Sequence, residues 1–156
     1  MKKSILILLL TMTIQTYSQE SEKKDEQQII AVINKFFESL EKKDSLMMRQ
    51  TTMDEAQIWR RYSDEKPARA DFRYSKEFLP KMHSLPNVKE IALDFDINIH
   101  KGMASAWVPY EFYIDEKFSH CGVDIFTLFE MDGHWKIISV AYTVEKEHCE
   151  ELKQKK

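Results

Sequence analysis

Glycine and proline are scarce in this sequence, at three and four of 156 residues. Such a composition argues against collagen-like, low-complexity and disordered proteins. The basic residues form no stripe interleaved with aromatics and the formal net charge is −3, so nucleic-acid binding is not expected. A Gly-rich phosphate loop and a G-x-S-x-G nucleophile motif are also missing. These absences exclude several classes of protein without naming a substrate.

Cysteine is limited to Cys121 and Cys149, which form no C-x-x-C pair, and the five histidines have no metal-ligand spacing. We therefore expect no metal and no cofactor. An even number of cysteines in an exported protein permits a disulfide. If Met131 lies opposite His134, Cys121 lies opposite Val144, and Cys149 reaches it only if the tail curls back. The sequence leaves this bond open.

The first feature that is present is a targeting segment over residues 1–18. Lys2 and Lys3 precede the apolar run 5–10, and small residues occupy the −3 and −1 positions before Gln19. The apolar run is too short for a membrane span of about 20 residues. The sequence therefore predicts a signal peptide, export to the periplasm or the outside, and no membrane association after its removal.

The length of the remaining chain predicts a single domain. Residues 19–25 are expected to form a charged linker, residues 26–148 the folded domain, and residues 149–156 a charged tail. Apolar residues at helical spacing predict an amphipathic helix over residues 26–43, after which Asp44 caps a second short helix.

Alternating apolar and polar residues in the second half of the domain are typical of antiparallel strands. Strands are predicted over residues 56–62, 88–100 and 103–115, and over both arms of the hairpin 119–144. An Asp132-Gly133 turn closes this hairpin, so the last four strands form a meander. Residues 63–70 are expected to be a loop, and residues 72–82 mix helical spacing with Pro80, which ends or kinks a helix.

Three stretches resemble the nuclear-transport-factor-2-like superfamily, which includes SnoaL-like and ketosteroid-isomerase-like proteins. They are the helix 29–44, the alternating Ala104, Ala106 and Val108, and the DGHWKI run at 132–137. The resemblance covers most of the mature chain and is strongest to small exported bacterial members. It implies an α+β cone in which N-terminal helices pack in a curved antiparallel sheet. It also implies a pocket at the wide end and often a dimer through the outer sheet face.

The resemblance does not carry isomerase activity to this chain. The ketosteroid-isomerase branch places a tyrosine on the first helix as an oxyanion donor, whereas this sequence has Phe36 and Phe37. Asp44 lies near the catalytic aspartate of that branch, and its position after the helix favours a capping role.

The last three predicted strands have two faces, and both are too apolar to be left in water. If the helices cover one face, a second copy of the chain is expected to cover the other face, so the sequence predicts a homodimer.

The turn before these strands sets the register between the predicted strand 88–100 and the predicted strand 103–115. A two-residue Lys101-Gly102 turn pairs His100 with Met103, whereas a three-residue turn with a bulged Gly102 shifts the register by one. We favour the three-residue turn.

The candidate catalytic residues are Glu111, His120 and Asp124. With a short turn at residues 116–118, Glu111 and Asp124 come close across neighbouring strands. Two carboxyl groups close together in an apolar cone have their pKa values pushed apart, so one can act as an acid and the other as a base. The alternative is that these side chains lie on a rim or an outer face and are solvated.

The candidate ligand-binding residues are Trp59, Tyr62, Trp107, Tyr113 and Thr143. The leading hypothesis is an exported domain that binds a small apolar or amphipathic molecule in the cone. The alternatives are an acid–base enzyme of isomerase, hydratase or hydrolase type, and a structural or interaction module whose cone is filled.

Overall fold

The computed structural model describes residues 2–63, 65–67, 69–147 and 149–153, and its side chains from residue 22 onward. The α-helices are α1 (Lys2–Lys42), α2 (Ser45–Thr51), α3 (Ser75–Phe78) and α4 (Cys149–Leu152), and a 3₁₀ helix spans Leu79–Ser84. The strands are β1 (Thr52–Tyr62), β2 (Arg69–Tyr74), β3 (Val88–Ala92), β4 (Asp96–His100), β5 (Met103–Ile114), β6 (Lys117–Met131) and β7 (His134–Val144).

The described backbone of α1 runs through the residues predicted as a signal peptide and a linker, because the helix begins at Lys2. The side chains of residues 1–21, and residues 154–156 of the predicted tail, lie outside the described residues. The cleavage site therefore stays a prediction. No helix in the described part of the chain is long and apolar enough to cross a membrane.

The apolar stripe of α1 packs against the concave face of the sheet, and together they form the core. Ile29 and Ile33 are fully buried. Phe36 and Phe37 pack edge-on against Phe126 of β6, with ring centroids 5.7 and 5.9 Å apart. Aromatic pairs prefer this arrangement because the positive ring edge meets the negative ring face. These rings fill the space between α1 and β6.

The end of α1 follows from local hydrogen bonds. Lys43 has a φ of 55°, and the amides of Lys43 and Asp44 donate to the carbonyls of Leu40 and Ser39. This left-handed ending is a Schellman motif. The Asp44 side chain then accepts from the amides at the start of α2, so the predicted cap is confirmed.

The sheet has seven strands in the order β2-β1-β7-β6-β5-β3, and β4 also pairs with β5. The chain thus has the predicted α+β architecture, with helices packed in a curved sheet. Two expectations were wrong. The sheet is mixed because β1 runs parallel to β7, and the segment predicted as loop and irregular helix contains β2. This strand pairs with β1 in a hairpin, and its mostly exposed residues give no alternating pattern that would indicate a strand.

The preferred register at the Lys101-Gly102 turn was also wrong. His100 pairs with Met103, and both turn residues have positive φ values of 45° and 76°, as a type I′ turn requires. The predicted strand 88–100 divides into β3 and β4. The pairing of β4 with β5 is shifted by one residue relative to the pairing of β3 with β5. This shift indicates a bulge near Asp94.

The chain after β7 folds back onto β6. Cys121 and Glu145 exchange two backbone hydrogen bonds of 2.9 Å, and α4 begins at Cys149. The Cα atoms of Cys121 and Cys149 are then 5.8 Å apart and their sulfurs are bonded. The tail therefore does curl back, and it makes the disulfide that the sequence left open.

The outer face of the sheet carries an apolar row that crosses five strands. In register order it consists of Phe72, Trp59, Ala141, Ile125 and Trp107. Trp59 and Phe72 stack with centroids 4.5 Å apart, and the large side chains of the row are 39–48% exposed. No described residue of the chain covers this row.

Candidate binding cavity

A cavity of about 430 Å³ lies at the wide end of the cone, between α1, the α3 region and the concave face of the sheet. Its walls are largely apolar and include Phe36, Phe78, Phe112 and Val140. The polar residues that line it are Arg60, Tyr62, Arg73, Glu90, Tyr110, Ser119, His120, Asp124, Tyr142 and Lys146. An apolar cavity with a few convergent polar groups is the usual form of a small-molecule site.

Glu90 of β3 and Asp124 of β6 form a carboxyl pair in this cavity. Their side chains are in hydrogen-bond contact, and Asp124 is only 2% exposed. No N–H or O–H donor of the described residues reaches the buried Oδ2 of Asp124. Because two carboxylates cannot donate to each other, the contact requires a proton on at least one of them.

Burial raises the pKa of both carboxyl groups above their usual values. For Asp124, the negative charge of Glu90 and their shared hydrogen bond raise the pKa further. For Glu90, the same hydrogen bond opposes the effect of burial. The two carboxyl groups therefore share a proton, and the pair can give or take one.

His120 lies on the same wall as a neutral imidazole. Burial, followed by the nearby charges of Lys146 and Arg60, lowers its pKa to about 4. Its ring stacks on Phe112 with centroids 4.8 Å apart, and its Nδ1 lies 3.1 Å from the Ser119 hydroxyl. The imidazole therefore offers the cavity a neutral hydrogen-bonding group.

Tyr110 and Gly122 are paired residues of β5 and β6 close to Asp124. Tyr110 is 1% exposed, and its hydroxyl donates to the carbonyl of Thr143 at 2.6 Å. Gly122 is opposite Tyr110, and a Cβ on it would lie 2.9 Å from the Thr143 carbonyl carbon and closer still to the oxygen. Only glycine leaves room for this carbonyl to turn toward the tyrosine.

Two arginine side chains, from β1 and β2, line another side of the cavity. Arg60 of β1 pairs with Asp71 through two hydrogen bonds of 2.9 and 3.2 Å. The guanidinium of Arg73 on β2 lies 4.2 Å above the Phe78 ring, and its buried Nε has no acceptor among the described residues. Tyr142 lies within electrostatic range of both arginines, which act to lower its pKa while burial raises it.

No protein-family model matches the sequence, and no curated protein matches it. Solved structures do match. A nuclear-transport-factor-2-like protein of unknown function from Shewanella baltica OS155 is 19% identical over 80% of this chain and 96% of that one, with a TM-score of 0.60. A superfamily protein from Salmonella enterica serovar Typhimurium LT2 is 13% identical over 81% and 95%, with a TM-score of 0.65.

A third match, a nuclear-transport-factor-2-like protein from Cytophaga hutchinsonii, is 15% identical over 76% of this chain and 97% of that one, with a TM-score of 0.63. This chain has the nuclear-transport-factor-2-like fold. The predicted resemblance is thereby confirmed for the fold. Identities this low show the fold and carry no information about activity.

Within this nuclear-transport-factor-2-like cone, two of the three predicted catalytic residues line the cavity. Asp124 and His120 both face it. Glu111 does not, because its carboxyl group contacts the Tyr113 hydroxyl at 2.8 Å and Lys153 at 2.9 Å. The prediction that Glu111 and Asp124 form the pair was wrong.

The register of the β5–β6 turn explains this error. The turn contains Asp115 and Glu116, both with positive φ, and not the three residues 116–118. A bulge follows at Ser119. Glu111 therefore pairs with Cys121, which places both on the face opposite Asp124.

The structure separates the five predicted ligand-binding residues. Tyr62 lines the cavity. Trp59 and Trp107 lie in the exposed outer row, Tyr113 contacts Glu111, and the Thr143 hydroxyl accepts from the Val123 amide at 3.0 Å. These four were wrong as lining residues.

Glu90 is a candidate functional residue that the sequence did not predict. The predicted strand 88–100 placed Ile91 to Ile99 on the inner face. The bulge near Asp94 reverses that order, so Glu90 points inward and Ile91 is 38% exposed. The available signal was the alternation of Val88, Glu90 and Ala92 before the bulge.

No three His, Cys, Asp or Glu side chains in the described ranges are close enough together to hold a metal ion. The groups that the cavity itself offers are its carboxyl pair, a neutral imidazole, tyrosine hydroxyls and guanidinium groups. These groups can hold a polar molecule and move a proton.

Proposed function

We propose that the cone binds a small amphipathic molecule. The observation that carries this proposal is the carboxyl pair formed by the half-buried Glu90 and the buried Asp124, which lines a cavity with mainly apolar walls. The carboxyl pair can bind the polar end of a ligand, and the apolar part of that ligand would bury hydrophobic wall area.

A cavity-filling variant tests this proposal. Val144 lines the cavity and is half-buried, so Val144→Phe adds volume there without a charge change. We expect the wild-type protein to bind the neutral dye Nile red and Val144→Phe to bind it at least tenfold more weakly. Fluorescence titration measures both affinities.

Ser139→Phe is the matched control. Ser139 is on the same strand and half-buried, but it pairs with Thr127 and does not line the cavity. The control should bind Nile red as the wild type does. If the wild type binds no dye, or if both variants bind equally well, the cavity is not the binding site.

A second candidate is an acid–base enzyme of isomerase, hydratase or hydrolase type, with Glu90 in the place predicted for Glu111. The proton shared by Asp124 and Glu90 favours it, because an acid and a base then lie side by side. A ligand retained in native mass spectrometry would be incubated with the protein in D₂O. Exchange at its carbon-bound hydrogens, lost in Asp124→Asn with retention kept, supports catalysis; no exchange in the wild type counts against it.

We also propose that the protein is exported and forms a homodimer through the outer apolar row. The Cys121–Cys149 disulfide supports export, because such bonds persist in oxidising compartments. The exposed Trp107 and Ile125 support a partner on that face. Light scattering should give twice the monomer mass, and Ile125→Lys should give the monomer mass.

A further inference from the structure

We propose that the ligand of this cavity is an amphipathic anion, such as a monocarboxylate, whose charged group binds at Arg73 and Arg60 while its apolar body packs against Phe78, Phe112 and Val140. This inference rests on the proposed binding function and adds the charge and the orientation of the ligand.

The first support is the arrangement of cations around the cavity. Arg60, Arg73 and Lys146 line it from β1, from β2 and from the segment after β7. The acidic residues that line it are Glu90 and Asp124, and their shared contact requires at least one proton. Arg60 and Arg73 alone therefore outnumber the one carboxylate of this pair that can be ionised while the proton is shared.

The second support is the incomplete pairing of the arginines. Asp71 bonds to Arg60, and its pKa is lowered by Arg60 first and then by the charges of Arg69 and Arg73. The Asp71 carboxylate thus interacts with several guanidinium groups at once. Arg69 has a further partner in Glu65 at 3.1 Å, whereas the buried Nε of Arg73 has no acceptor among the described residues.

The third support is geometric. A planar guanidinium offers parallel donors that match the two oxygens of a carboxylate. The Arg73 guanidinium already packs over the Phe78 ring at 4.2 Å, which holds its plane against an apolar wall. Tyr142, within electrostatic range of Arg60 and Arg73, adds a hydroxyl donor on the same side.

Other ligand classes fit these features less well. A neutral apolar ligand would leave the Arg73 Nε buried without an acceptor, which is unfavourable. A cationic ligand would meet Arg60, Arg73 and Lys146 as like charges. An anion with an apolar body satisfies both the arginines and the apolar walls.

Three probes of the same shape test the inference: 4-phenylbutyrate, 4-phenylbutanol and 4-phenylbutylamine, titrated calorimetrically into the full chain at pH 7. We expect the acid to bind at least tenfold more tightly than the alcohol, and the amine to bind most weakly. Arg73→Gln should weaken the acid at least tenfold and change the alcohol less than twofold.

Arg49→Gln is the matched control, because Arg49 forms an ion pair with Asp54 at 2.8 Å but does not line the cavity. It should leave all three affinities unchanged. If Nile red binds but the alcohol matches the acid, or Arg73→Gln weakens both equally, the cavity function stands and the anion inference is overturned. If neither Nile red nor the acid binds, the proposed function fails and the inference fails with it.

Discussion

Asp124→Asn is expected to make the protein more stable than the wild type at pH 8, and to bring the two closer together toward pH 4. In the folded protein, burial and the neighbouring Glu90 raise the pKa of the Asp124 carboxyl. The unfolded chain releases that proton near pH 4, whereas the folded chain keeps it. The free energy of unfolding therefore falls as the pH rises between the two pKa values.

The expected size is about 1.4 kcal/mol per pH unit for each carboxyl group that stays protonated. Glu90→Gln should have an effect of the same sign, because burial also raises the Glu90 pKa. His120 acts in the opposite direction below its unfolded pKa, since its folded pKa is lowered to about 4. This contribution cancels when variant and wild type are compared at each pH.

Urea denaturation at pH 5, 6, 7 and 8, followed by tryptophan fluorescence, measures the difference. Glu111→Gln is the control of opposite sign. Lys153 and Tyr113 lower the Glu111 pKa, so this carboxylate stabilises the fold above its unfolded pKa and stops doing so as the pH falls. Its replacement should therefore cost stability at neutral pH. Parallel pH profiles for Asp124→Asn and the wild type would show that the carboxyl pair does not hold its proton.

Gly122→Ala is the second substitution with a large expected effect. Its Cβ would lie inside van der Waals contact with the backbone of Thr143, so β6 and β7 must separate locally. Overpacking of this kind costs about 1–3 kcal/mol. The shift would also break the hydrogen bond from the Tyr110 hydroxyl to the Thr143 carbonyl, for about 1 kcal/mol more.

Thermal or urea denaturation measures this loss, and Tyr110→Phe separates its two parts. Tyr110→Phe removes the hydroxyl and keeps the ring, so it should cost only the hydrogen-bond contribution. Because Gly122 is two residues from Asp124, Gly122→Ala should also weaken Nile red binding, whereas Tyr110→Phe should weaken it less. A Gly122→Ala protein as stable as the wild type would mean that β7 can relax away from this position.

Several features follow from local sequence because they need only neighbouring residues. The stripe of Ile29, Ile33 and Phe36 predicts the buried face of α1, and Asp44 predicts the start of α2. The Asp132-Gly133 pair predicts a two-residue hairpin, and Met131 does pair with His134. In each case the interactions lie within one turn of helix or one hairpin.

Features that depend on register do not follow from the sequence in the same way. Bulges near Asp94 and at Ser119 each shift the pairing by one residue. One residue reverses which side chains face the core. The sequence predicted a pair of carboxyl groups in the cone. Because of these shifts, it named Glu111 as the partner of Asp124 in place of Glu90.

By itself, the sequence determined the α+β cone, the Asp44 cap of α2, the last hairpin and the placement of a cavity carboxyl on β6. The tertiary structure decided that β2 exists, that β1 joins β7 in parallel, that Cys149 reaches Cys121, and that Glu90 meets Asp124. The last three depend on the approach of segments that are far apart in the sequence, and no short stretch of sequence encodes that approach. β2 is different: it is the second strand of a hairpin, and because its residues are mostly exposed, no alternation of buried and polar residues indicates it.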